Sequence, residues 1–333
     1  MRQRTDVRIR RIAMAVSAVV SLASITGASA QDTKPWRHGI IEAKSDSGIL
    51  FMLDKGGFAE KQGLKLQVVQ VKTDQIGLKA LLAGELDSYE GGPGGAILAA
   101  ARGADVKVIG CHWLTVPHGI FVHNDITSVA QLKGKSIAVS SPGTMPEMLA
   151  RGALEKSGVP VAEVKFASLG GDLDRYKALL ARVVEGAVVS AEYTPIAAKD
   201  GLKLLVPGRE ALPEFLRICL HSSGQTIAQR RADAVRFLTA EMQGLRYALA
   251  HKDETVALAR ELTGAKGDDP RPAYIYDLAV ETSAVAPELP IPLDRLAWLQ
   301  DQLVASGNLN KAGDIARLVD GSLRAKALEL MGH

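Results

Sequence analysis

Cysteine is nearly absent: Cys111 and Cys219 are the only two in 333 residues. The chain is therefore no disulfide scaffold and relies on a hydrophobic core. No cysteine directly follows the first thirty residues, so no lipid anchor is expected there. Seven histidines are present, yet none forms His-Glu-x-x-His and no His/Cys group has metal-ligand spacing. There is no Gly-x-Ser-x-Gly nucleophile turn, and the glycine-rich turn Gly91-Gly92-Pro93-Gly94-Gly95 has neither the Lys nor the spacing of a nucleotide-binding loop. Basic stripes and zinc-finger spacings are also missing, so nucleic acid is not an expected partner.

The formal charge of +3 hides an asymmetry. Residues 1–30 hold five Arg against one Asp, so the remaining 303 residues carry a net charge of −1. Arg2, Arg4, Arg8, Arg10 and Arg11 precede an apolar run from Ile12 to Ile25, and Ala28-Ser29-Ala30 supplies small residues for cleavage. That order predicts a signal peptide of residues 1–30, cleaved after Ala30, and export to the periplasm. The run is too short and too rich in Ser and Thr for a membrane anchor.

Beyond residue 30, short apolar strands alternate with helical segments, the pattern of an α/β fold with largely parallel sheets. Strands are expected at Gly39–Ala43, Lys65–Val71, Asp87–Glu90 and Val106–Cys111, with helices at Gly48–Gln62, Thr73–Ala83 and Pro93–Arg102. A second series follows Gly119–His123. Its strands are Ser136–Ser140, Glu163–Ala167, Gly186–Val189 and Lys203–Val206; its helices are Met145–Ser157, Leu173–Val184 and Thr194–Lys199. Phe215–His221 reads as a strand leaving that series. From Gln225 the chain is mainly helical, with Val235, Leu238, Met242, Leu245 and Leu249, and later Leu293, Leu296, Leu299 and Leu303, at helical spacing. The pattern leaves open one large sheet, two tandem domains, or two lobes crossed twice.

Several segments carry a family resemblance: Gly39 through Glu90-Gly91-Gly92-Pro93, Leu132 through Val139 followed by Ser140-Ser141-Pro142-Gly143-Thr144, and Tyr176 through Leu180 ahead of Gly186 through Val189. In order and spacing, over residues 36–250, they resemble the NMT1/SsuA-like periplasmic binding proteins, related to the sulfonate, nitrate and thiamine-precursor receptors. The resemblance implies a type II periplasmic-binding-protein fold with a cleft between two lobes. Lobe I is expected at 31–120 and 221–333, and an inserted lobe II at 121–220. It further implies a monomeric receptor that passes a small organic solute, expected to be an anion such as a sulfonate or aromatic carboxylate or to be pyrimidine-like, to the membrane permease of an ABC transporter, without cofactor, metal or chemistry. A sensor feeding a signalling protein is the alternative. Enzymes on the same fold include thiamine-pyrimidine synthases, whose clustered cysteines are missing here, and dihydroxyphthalate decarboxylases, which resemble the chain less.

Ligands of open α/β sheets sit beyond the carboxyl ends of strands, which selects the turns there. Ser45, Asp46 and Ser47 precede a helix, where Ser45 or Ser47 either caps it or holds a polar group. Gly91 and Gly92 lie in a glycine-rich turn suited to positive φ and an anion-holding nest of N–H groups, or to a purely structural tight turn. Ser140, Ser141 and Gly143 supply donors without bulk, and Thr144 with Glu147 predicts a capping box. Tyr193 offers a ring face, and Glu192 either pairs with Arg175 or accepts from a solute. Trp113 lies where the two series join. Arg217 and His221 share side-chain parity on the return strand, and Arg217 suits a carboxylate or sulfonate. Cys111 and Cys219 would then lie near the two crossings. Lone cysteines commonly act as buried small hydrophobes, so two free thiols are expected.

Overall fold

The computed structural model describes residues 34–332, and the predicted signal peptide lies outside them. Ten strands form two five-stranded mixed sheets. The first sheet contains β1 (Trp36–Ile41), β2 (Leu66–Val71), β3 (Ser88–Gly91), β4 (Lys107–Trp113) and β10 (Ile218–Ser222), in the order β2-β1-β3-β10-β4. The second contains β5 (His118–His123), β6 (Ser136–Val139), β7 (Lys165–Ser168), β8 (Gly186–Ser190) and β9 (Leu202–Pro207), in the order β7-β6-β8-β5-β9. In each, three parallel strands meet one antiparallel strand. The two orders are equivalent, so the lobes repeat one plan.

The chain crosses between sheets through residues 114–117 and again before β10. Arg295, on the helix Leu293–Ala305, holds both crossings. Its guanidinium donates to the carbonyls of Leu114, Pro213 (3.0 Å), Glu214 (2.9 Å) and Phe215 (2.8 Å).

The helix expected over Gly48–Gln62 is broken into three short pieces, Ser47–Leu50, Met52–Lys55 and Phe58–Lys61. Gly57 adopts φ +70, where a continuous helix cannot pass. Glycine also sets how these pieces pack. A Cβ on Gly48 would lie 2.8 Å from the Thr255 carbonyl carbon and closer still to its oxygen. The helix Lys252–Thr263 thus touches backbone to backbone there. Gly244, on the helix Arg231–Ala250, makes the same close approach to Leu53.

That helix buries Val235, Leu238, Met242 and Leu245, and its Phe237 stacks on Trp36 of β1 at 5.6 Å and meets His38 at a tilt, 4.9 Å away. The stripe expected nearer the carboxyl end is shorter than its spacing implies: Leu296, Leu299 and Leu303 are buried, but Leu293 opens its helix and is exposed.

The expectation of two thiols is overturned. Cys111 and Cys219 form a disulfide between adjacent antiparallel strands, β4 and β10, where they are register partners. The physical reason is topological. β10 returns to the first sheet directly beside β4, so two residues 108 positions apart become neighbours. The bond lies within one sheet and does not join the lobes.

Candidate functional site

The first turn after β1 folds on its own backbone. Asp46 takes the N-cap position without a side-chain cap bond, and the Ser47 hydroxyl accepts from the Lys44 N–H at 2.7 Å. Neither serine caps the helix by its side chain, so the expected cap is replaced by a link across the turn. The Asp46 carboxylate instead meets Arg217, whose guanidinium lies 4.3 Å over the Trp113 ring. Trp113 is wholly buried beneath it. The Arg217 backbone N–H donates to the Trp113 carbonyl at 3.0 Å, while its Nη1 is buried without a partner. A guanidinium stacked on indole, paired through Nη2 with one carboxylate and with Nη1 free, has a donor left for an acceptor oxygen.

The glycine turn after β3 differs from the nest expected. None of Gly91, Gly92, Gly94 or Gly95 has positive φ, and the Gly92 N–H faces the Asp74 carboxylate at 3.4 Å. The chain's own anion occupies the turn. A Cβ on Gly91 would strike the Tyr89 hydroxyl and Asp74, which hydrogen-bond each other, so that glycine makes room for the pair.

The loop after β6 also corrects the sequence reading. Thr144 caps no backbone donor: its hydroxyl donates to the Ser141 carbonyl at 2.6 Å and lies 2.7 Å from Ser140 Oγ. Glu147 does not reach back to the cap but accepts from the Gly143 N–H at 2.5 Å and pairs with Arg151 at 2.7 Å. The capping box gives way because Gly143, at φ +75, turns its N–H toward Glu147.

After β8, Glu192 does not pair with Arg175. Arg175 is buried and donates to Asp172 (2.6 Å), the Val188 carbonyl (2.5 Å) and the Gly170 carbonyl, stapling three segments of the second lobe. Asp172 also lies 3.6 Å from His118 and accepts from the Ser190 N–H at 3.0 Å. Burial alone would raise the Asp172 carboxyl, but His118, Arg175 and Lys44 together hold it below the carboxylate range. Glu192 is pushed upward, first by burial and then by Asp46 and Asp172, against the opposing Ser45 hydroxyl and Arg271. Tyr193 is buried, stacked on Tyr176 at 4.5 Å, with the Arg271 guanidinium 6.0 Å from its ring.

The shared parity expected of Arg217 and His221 is lost. Arg217 precedes β10, and two register shifts, at Ile218/Cys219 and Leu220/His221, reset the alternation. His221 is buried against Tyr89, 5.8 Å away and stacked, and burial pushes its imidazole down to about 4.

Two cavities bring elements of both sheets together. One, of about 300 Å³, is lined by Gly92, Gly143 and Thr144 with Met145, Met148, Phe215, Leu299 and His221. The other, about 520 Å³ and more polar, is lined by Ser45 and Glu192 with Lys44, Lys266, Asp269 and Arg271. Gly92, Gly143 and Thr144 are thus gathered in one place and Ser45 and Glu192 in another. Asp46, Trp113 and Arg217 form a third group, and Ser140 and Ser141 lie behind Thr144. Sequence reasoning missed Met145, Met148, Phe215 and Arg271. The two methionines were legible only as helix residues, and Arg271 comes from a helix distant in the chain.

A family model described as NMT1/THI5 like matches residues 45–255, more than half of the chain. A Brucella abortus (strain 2308) protein, provisionally named a binding protein, is 31% identical over 156 residues. That match covers 47% of each, so the chain spans about half the length of this curated relative. Among solved structures, the periplasmic aliphatic sulphonate binding protein SsuA from Escherichia coli aligns with a TM-score of 0.70 at 18% identity, covering 86% of this chain and 92% of that one. The desulfurization enzyme DSZB aligns with a TM-score of 0.66 at 15% identity, covering 89% and 100%. At these identities the likeness establishes the two-lobed type II periplasmic-binding-protein fold implied by the sequence, and nothing about the solute.

Proposed function

The chain belongs to the NMT1/THI5-like family, and from that premise we propose that it is an extracytoplasmic receptor delivering a small organic anion to an ABC permease, exported by residues 1–30. One observation carries the solute class: Arg217, stacked on Trp113, keeps a buried Nη1 without a hydrogen-bond partner. Gly92, in the wall of the cavity of about 300 Å³, lies near the Arg217 backbone, where a Cβ would stand 3.8 Å from the Arg217 carbonyl. A carboxylate or sulfonate satisfies the free donor, and Met145, Met148, Phe215 and Leu299 receive an aliphatic or aromatic body. Such a charge-assisted bond contributes about 1.5–3 kcal/mol. Sulfonates, aromatic carboxylates and pyrimidine-like acids all present such an acceptor oxygen on a compact organic body.

The test is a thermal-shift screen of sulfonates, aromatic carboxylates and acidic pyrimidines, each beside its neutral amide or alcohol. A ligand of the folded form raises stability by mass action. The anion should raise Tm and its neutral partner should not; equal shifts, or none with any anion, overturn the assignment. Solution scattering of the hit complex should show a smaller radius of gyration as the lobes close. Because the fold also carries a desulfurization enzyme, the bound solute is recovered and weighed by mass spectrometry. An unchanged mass supports a receptor, and a converted solute an enzyme.

A further inference from the structure

Four ionisable side chains meet in the core of the first lobe, away from the cleft. Glu90, His112 and Glu241 are 2%, 0% and 1% exposed, and one donor atom of each lies within 4.8 Å of the others. His112 Nε2 is 3.1 Å from Glu90 Oε2, and His38 Nε2 is 3.8 Å from the same oxygen. His38, Glu90 and His112 come from β1, β3 and β4; Glu241 comes from the helix Arg231–Ala250 packed over that face. The group is dispersed across two hundred positions, which is why no motif announces it.

Hydrogen bonding within the group is incomplete. Both carboxylate oxygens of Glu241 and Nδ1 of His112 are buried with no partner. Burying polar groups without partners is costly, and more so for a charge. We propose that Glu90, His112 and Glu241, with His38 beside them, bind one divalent first-row transition ion, of which Zn²⁺ is the best fit.

The donor set decides the class. Imidazole and carboxylate without thiolate suit zinc, iron or manganese, whereas calcium demands six or more oxygens that this site does not offer. Tetrahedral zinc with bonds of about 2.0–2.1 Å requires donors roughly 3.3 Å apart. The observed 3.1 and 3.8 Å need little adjustment, and Glu241 needs a shift its long side chain can make. Two carboxylates and one dication sum to zero charge, which a dry core requires. An outer layer exists as well: His38 Nδ1 lies 2.9 Å from Ser88 Oγ, which also accepts from Trp36 Nε1 at 2.7 Å. The competing occupant is a proton, since burial and then the Glu90 charge push the Glu241 carboxyl well up.

The site ties the long helix to three strands, and Glu90 immediately precedes the Gly91-Gly92 turn of the cleft. Metal binding there is a positioning device for that turn and takes no part in holding the solute.

The full chain is stripped with chelator and then loaded two ways: Zn²⁺ added to the native protein, and Zn²⁺ present during refolding from urea, so that a closed core does not hide the site. Metal content and Tm are read after desalting. The expected result is about one equivalent per chain by at least one route, with a higher Tm, and a loss of about tenfold or more in affinity for Glu241→Gln. Anomalous scattering at the zinc edge locates the ion without any variant. Less than a tenth of an equivalent by both routes overturns the proposal. So does zinc located elsewhere, or uptake unchanged in Glu241→Gln. A Glu241→Gln protein that is more stable and equally metal-free assigns the cluster to a shared proton instead.

Discussion

Replacing both Cys111 and Cys219 by Ala removes a crosslink whose closed loop contains the entire second sheet. Chain-entropy reasoning for a 108-residue separation gives about 4.8 kcal/mol at 25 °C. Removal of natural disulfides typically costs about 2–5 kcal/mol, and the ladder around the bond survives its loss, so about 2–4 kcal/mol is expected. In a protein of this size that lowers Tm by roughly 3–6 °C. All three tryptophans report on the first lobe: Trp36 in β1, Trp113 in β4, and Trp298 on the helix that packs against Pro93–Ala101. Urea unfolding followed by tryptophan fluorescence therefore reads the lobe that contains the bond. Because the disulfide joins neighbours in one sheet, solute affinity should be unchanged. A midpoint unmoved by the double substitution refutes the entropic reasoning, and a large change in affinity refutes the claim that the bond is local.

Three further outcomes are expected. Gly48→Ala drives a methyl into the Thr255 backbone and should cost about 1–3 kcal/mol, whereas Gly94→Ala, whose Cβ would meet only Leu299 at 3.9 Å, should be near neutral; comparable midpoints in urea would contradict this. Arg217→Met keeps the stack on Trp113 but deletes the donor, and calorimetry should show an anionic solute weakened by about ten- to a hundredfold with a neutral analogue unaffected. His221 is held neutral by burial, with its pKa down to about 4, so the unfolded chain binds the proton first as pH falls. The stability this preserves above pH 6.5 should decline progressively toward pH 4 by up to about 3 kcal/mol. His221→Gln should flatten that part of the urea-midpoint profile, and an identical slope in both proteins would refute the assignment.

The alternation of apolar strands with helices was enough to identify nearly every strand to within two or three residues, because the central strands β3, β4, β5, β8 and β10 are buried along almost their whole length and read as short runs. Features that depend on two distant segments were invisible. The β3-β10-β4 ladder creates both the disulfide and the Glu90–His112 contact, and no local pattern records which strands are neighbours. The turn at Gly91-Gly92 was legible as a turn, but not its occupation by Asp74, seventeen residues upstream of Gly91 in another element. Parity on the return strand failed at its two irregularities, where period-two counting has no meaning. The Thr144–Glu147 pair had correct spacing for a capping box, yet one N–H from Gly143 was the better partner.

Arg295 sets the geometry by which the lobes can turn. Two independent connectors between rigid bodies would leave twist and shear free as well as bending. A single planar cation bonded to carbonyls on both connectors makes them one strap. Under the proposed receptor role, closure would bend that strap as a unit, which would restrict the orientations offered to a permease.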